Sequence, residues 1–316
     1  MIYTCLIFKR VFPLHRSCIA GPVQEALPLE ERRWSRVDGL LRSSRASHKK
    51  ENVSMLYAAP VITVYCCVLA ALFGACMGSF LNCMAWRIVH GESVLRGRSH
   101  CDACGHVLSA RDLVPVVSYL ASGGRCRYCG AKLSIRHVVG EAVSALVFVS
   151  LLLTYDISLQ TLEAWCVASI LLVCSFADLE GYIIPDRFIA VGIVLFIASV
   201  FLSPDPAKRA IDGAIGGFAV AGGLLAFVLV MEKLLGREAM GGGDVKLLFV
   251  TGLFLGWQRN LLCLVLACFA GIIWGAAGQR KNKEALIPWG PSIALGAWLA
   301  ALFGTPFVNW YVSLLV

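Results

Sequence analysis

The chain of 316 residues is 58% hydrophobic and 15% charged, with a mean hydropathy of +0.75 and a formal charge of +8. No soluble domain of this length needs so much apolar surface. Long apolar runs broken by short charged loops exclude a soluble globular enzyme and specify an all-α, polytopic membrane helix bundle.

In chain order, residues 1–54 come first, with ten basic side chains between Lys9 and Lys50 against five acids. Their apolar opening, MIYTCLIF, is too short to span a bilayer. Eight spans follow, at about 57–86, 138–154, 161–178, 187–203, 211–235, 244–257, 260–278 and 290–313, the sixth short for a full crossing. The loop from Arg87 to His137 carries Arg87, Arg96, Arg98, Arg111, Arg125, Arg127, Lys132 and Arg136 against Glu92, Asp102 and Asp112. Such an excess of Lys and Arg places this loop in the cytoplasm, together with the loop after Asp178 and the loop before Asp244.

That topology puts the N-terminus outside, where a basic tail resists translocation. A start at Met55, directly before the first span, removes the conflict. It lowers the formal charge by five, from +8 to +3, and with that balance no nucleic-acid partner is expected; the lipid bilayer is.

Of fourteen cysteines, most stand singly in apolar runs and read as small hydrophobes. Four differ: CDACG supplies Cys101 and Cys104, and CRYCG supplies Cys126 and Cys129. Two thiolates at this spacing converge on one ion across a tight knuckle, and the glycine after each pair lets backbone N–H groups turn toward the sulfurs. Two knuckles complete a tetrahedral zinc site with no open position, so the metal organises the loop and does no chemistry itself. A pair of disulfides is the competing reading, disfavoured by a reducing cytosol.

Ionisable residues at membrane depth are functional candidates by default. Asp244 stands behind Gly241, Gly242 and Gly243 at the start of the sixth span, and Asp178 ends the third span on the same side. Two carboxylates at one depth suggest an aspartic protease dyad sharing one proton. The ends of their own helices favour an ionised Asp244 and a protonated Asp178. The three glycines are expected to supply positive φ and close approach of a second backbone. Asn82, inside an apolar run, reads as an interhelical hydrogen-bond donor, and Lys246 as a positive field near Asp244.

With the acids in place, the residues resemble a family. Asp178 ahead of Ile184-Pro185-Asp186, together with Gly241-x-Gly243-Asp244, looks like the type IV prepilin peptidases, membrane aspartic proteases of the GxGD kind. GSFLNCMAWR (78–87), the two-knuckle segment 98–141 and IPWGPSIALG (287–296) resemble further signatures of that family, so the likeness covers about 78–296. It implies cleavage of the short basic leader of type IV prepilins or pseudopilins at the cytoplasmic face of the bacterial inner membrane. It also implies methylation of the new N-terminal residue with S-adenosylmethionine, a step for which no glycine-rich nucleotide-binding turn is readable.

Asp178 and Asp244 carry over as the catalytic pair, and Cys101, Cys104, Cys126 and Cys129 as the structural zinc site. Glu180 stands where many members show a second Asp. The expected organisation is an extension at 1–54, a first span at 55–86, a cytoplasmic zinc-binding loop at 87–137 and a transmembrane aspartic peptidase domain at 138–316. A zinc-ribbon membrane scaffold or transporter with acids lining a pathway is the alternative; it predicts no peptide product.

Overall fold

The computed structural model describes Leu56 and residues 59–94, 97–101, 103–236, 240–279 and 288–315. The 1–54 extension and the Met55 start lie outside these residues. Among the described residues the fold is all-helical, with two isolated antiparallel bridges, His100 with Val107 and Arg125 with Lys132, in the large loop.

The helices are α1 (Pro60–Val89), the short α2 (Val117–Ala121) behind a 3-10 turn (Ala110–Leu113), α3 (Ile135–Tyr155), α4 (Leu159–Gly181), α5 (Asp186–Phe201), α6 (Pro206–Leu235), α7 (Gly242–Gln279) and α8 (Gly290–Leu315). Their ends follow local chemistry. Ser134 caps α3 by accepting from Arg136 N, and Ser158 caps α4 by accepting from Thr161 N. Asp205 caps α6 ahead of Pro206, so LSPDPAK is the turn its two prolines indicate. Among the described residues six helices are long and apolar enough to cross a membrane. The protein is therefore a multi-pass membrane protein.

The eight expected runs fall on seven of these helices, with one fold-back inside α7; α5, which holds the run at 187–203, is 16 residues long and is not among the six. Asn260 Nδ2 donates to the carbonyls of Gly216 at 3.1 Å and Leu248 at 3.2 Å. In a straight helix residues 248 and 260 would lie about 18 Å apart, so the chain reverses at Gly256, whose φ of 74° and ψ of 171° only glycine adopts readily. Arms 242–255 and 257–279 are the sixth and seventh apolar runs. The fully buried Asn260, which also receives the Thr251 hydroxyl at 2.8 Å, ties the two arms to each other and to α6, with its own polar atoms satisfied. The first arm is short because it ends inside the bundle, with Gly216 of α6 packed against the carbonyl of Gly252 and the backbone of Gly256.

One core joins α4, α7 and α8 through Val173, Cys174, Ala177, Leu247, Leu248, Val250, Ile293 and Ala300. On the other side α1 crosses α3 where Gly78 meets Ser144, leaving no space for a side chain; this is one reason for the GSFLN motif. Large apolar residues such as Val64, Phe218, Phe269 and Trp310 face outward, the surface a bilayer covers.

Candidate active site and metal centre

Asp178 lies in the last turn of α4, which ends at Tyr182 in a left-handed cap. Asp244 lies in the first turn of α7. Different helices thus bring the two carboxylates to one end of the bundle. Asp178 is buried, and its Oδ2 accepts the backbone N–H of Gly290 at 2.8 Å. Asp244 Oδ1 is also buried and has no hydrogen-bond partner among the described residues. An acceptor left unmet in a dry site needs a proton or a water.

Three expectations about the neighbourhood change. None of Gly241, Gly242 and Gly243 has a positive φ. What Gly243 provides is close approach: a Cβ there would stand 3.0 Å from Ile184 Cβ, so the GxGD turn packs directly on the loop after α4. Gly290, which opens α8, matters equally, because a Cβ there would stand 2.9 Å from Asp178 Oδ2. Asp178 therefore faces the negative end of its own helix and the positive end of α8. The dipole of its own helix alone does not decide which carboxylate ionises more readily. Lys246 turns away to Asp186, 2.7 Å distant.

The four loop cysteines come together as their spacing requires. The sulfurs of Cys101, Cys104, Cys126 and Cys129 all lie within 4.8 Å of one another, with Cys101 and Cys129 at 3.9 Å. A tetrahedral zinc–thiolate site with bonds of about 2.3 Å has S···S edges of about 3.8 Å, so this set fits a metal of that kind. Both knuckles repeat one pattern: Cys101 N donates to His106 O and Gly105 N to Cys101 O, while Cys126 N donates to Ala131 O and Gly130 N to Cys126 O. Gly105 and Gly130 have φ of 67° and 71°. Backbone N–H groups of Tyr128 and Cys129 aim at the Cys126 sulfur and bring its thiol down to about 7. No described cysteine is in a disulfide. Asp112 ties the module together, receiving Tyr128 Oη at 3.0 Å and Arg127 at 3.5 Å, and His106 stacks on Tyr128 rather than joining the sulfurs.

The module is fastened to the bundle at its base. Val116, held at φ 60°, donates its N–H to Glu141 Oε2 of α3 at 2.7 Å. Arg136 bridges to Glu180 at 3.2 Å and to the Leu179 carbonyl at 3.1 Å, both within two residues of Asp178. Asn82 meets a ring nitrogen of His137 at 2.6 Å, the interhelical contact its place in an apolar run implied.

Residues 72–155 match the family described as Bacterial Peptidase A24 N-terminal domain, and residues 165–276 match the Type IV leader peptidase family. A prepilin leader peptidase/N-methyltransferase of Aeromonas salmonicida is 34% identical over 222 residues, 68% of this chain and 75% of that protein. Those of Myxococcus xanthus and Bacillus subtilis are 34% and 29% identical, over 69% and 77% of this chain and 64% and 96% of their own lengths. No solved structure matches. The chain belongs to the type IV leader peptidase family.

In this family member the first matched segment carries the cysteines, Glu141 and Asn82, and the second carries Asp178 and Asp244. Gly290 lies beyond both. It stands inside a motif visible in the sequence, but no spacing reveals that its N–H reaches an acid 112 residues earlier.

Proposed function

We propose that this leader peptidase cuts the basic leader of type IV prepilins or pseudopilins at the cytoplasmic face of a bacterial inner membrane, using Asp178 and Asp244. It then N-methylates the new terminus with S-adenosylmethionine. The observation that supports the catalytic reading is the pairing at one membrane face. One buried carboxylate is anchored by Gly290 N–H, and beside it a second exposes a buried oxygen with no partner.

Such a pair holds one proton between its members. The ionised carboxylate takes a proton from water as that water attacks the scissile carbonyl, and the protonated one donates to the developing oxyanion. Gly243 keeps the approach to Asp244 free of side chains. Zinc, held by Cys101, Cys104, Cys126 and Cys129, would supply the fold of the 97–134 segment and no chemistry, since four thiolates leave no open position.

The test is to present a prepilin-like peptide to membranes containing the full chain and read the mass of the product. Loss of the leader with one added methyl is the expected result. An uncut peptide would return the protein to the transporter or scaffold reading. Gly290→Ala is expected to lower kcat for cleavage about a hundredfold with the bundle intact, because a Cβ there moves the Asp178 carboxylate. An unchanged kcat would show that Gly290 does not align it.

A further inference from the structure

We infer that the methyl donor, S-adenosylmethionine, binds between α1, α3 and α4 at the cytoplasmic end of a large intramembrane cavity, against Trp86, Asn82, His137 and the Arg136–Glu180 pair. The inference rests on the leader-peptidase and N-methyltransferase reading above.

The cavity, of about 870 Å³, runs between α3, α4 and α8. Its middle is apolar, while its cytoplasmic end collects Asn82, Trp86, Ser134, Arg136, His137 and Glu180. Leader cleavage uses none of them. Asn82 and Trp86 belong to the first-span signature, which the dyad leaves without a role, and no glycine-rich nucleotide turn occurs elsewhere in the chain. In a helical bundle a ligand site is built from side chains on facing helices, as these are.

Position is the first argument. The amine to be methylated is released at Asp178 and Asp244, so the methyl group must be delivered within reach of the last turn of α4. That turn carries Asp178 and also presents Leu179 and Glu180 to the cavity. Pro291, next to the Gly290 that holds Asp178, lines it from α8. Cleavage site and cavity share a wall.

Chemistry is the second argument. The donor offers a flat purine, a ribose diol, an amino-acid head with both charges, and a sulfonium. The Trp86 indole lines the cavity and is a stacking surface; the His90 ring, which does not line the cavity, already stacks on it at 4.3 Å between centroids. Arg136 and Glu180, 3.2 Å apart, offer the opposite charges that a zwitterionic head requires. The Asn82 amide and His137 ring offer donors and acceptors at 2.6 Å from each other. When bound, the donor supplies an electrophilic methyl carbon. The lone pair of the new amine forms the N–C bond as the C–S bond breaks onto sulfur, and the surplus amine proton passes to water. The zinc module is fixed to α3, one wall of the cavity, through the Val116–Glu141 bond, and runs into α3 at Ser134, which lines this end.

The experiment is equilibrium binding of radiolabelled S-adenosylmethionine to the full chain in lipid nanodiscs. Trp86→Ala should weaken binding about tenfold, the usual loss when a base stack is removed. Trp86→Phe, which keeps a ring, should stay close to wild type, and so should Gln160→Ala at the opposite end of the cavity. Asn82→Ala serves as a second probe if Trp86→Ala does not fold. Equal affinity in Trp86→Ala, Asn82→Ala and wild type overturns the site. So does a wild type that cleaves leader but binds no donor, an outcome that leaves the peptidase reading standing. A wild type that binds through Trp86 yet cuts no leader overturns the peptidase reading and keeps the site.

Discussion

Asp178→Asn and Asp244→Asn are each expected to lower leader cleavage by about a thousandfold or more, with no further loss when combined. An amide cannot share the single proton on which both halves of the reaction depend, and residues that act as one unit do not lose activity additively. Neither change should unfold the bundle. Asn fits the volume of Asp, its side-chain oxygen at 178 still accepts from Gly290 N–H, and at 244 the replaced oxygen has no partner to lose among the described residues. Detergent-extracted protein with wild-type thermal behaviour and no product would bear this out. Full cleavage by either variant would remove the aspartic mechanism. Glu180→Gln makes the contrast: Glu180 pairs with Arg136, so only a modest effect on cleavage is expected there, which separates a supporting acid from a catalytic one.

The sequence made the long helices legible because each is an apolar run, while the caps that end several of them, Ser134, Ser158, Asp205 and Gly236, emerge only in the structure. The acid pair was legible because ionisable residues at membrane depth are rare enough to be compared one by one. The four cysteines were legible because knuckle geometry is local. Contacts between helices were not. Gly290 reaches Asp178 across 112 residues, and Asn260 reaches back to Leu248 only because Gly256 reverses the chain. A glycine seen in sequence does not say whether its positive φ or its missing Cβ is in use. At Gly241, Gly242 and Gly243 positive φ was expected, and at Gly243 the missing side chain is what the packing uses. Lys246 shows the same limit, being two residues from Asp244 in sequence and bonded to Asp186 in space.

Removing the metal should separate the two activities. Cys101→Ser combined with Cys126→Ser takes away the two buried sulfurs of the cluster, and bound zinc is expected to fall from one per chain to near none. Structural zinc contributes about 10 kcal/mol or more of apparent binding free energy to a module of this kind, far beyond what the few contacts of the 97–134 segment can replace. That segment should then be cut readily by added protease. The dyad's own contacts come from α4, α7, α8 and Ile184, none of which belongs to the segment. Leader cleavage should therefore stay within about threefold of wild type, in line with the small effects expected away from a site. Methylation should vanish, because the segment runs directly into the start of α3, where Ser134, Arg136 and His137 line the cavity end at which the donor is placed. The readout is one mass spectrum, in which the product lacks its leader and carries no methyl. If cleavage falls as far as in the Asp variants while the helices stay folded, the loop is part of the proteolytic site. If methylation survives the loss of zinc, the knuckles serve something other than the transferase.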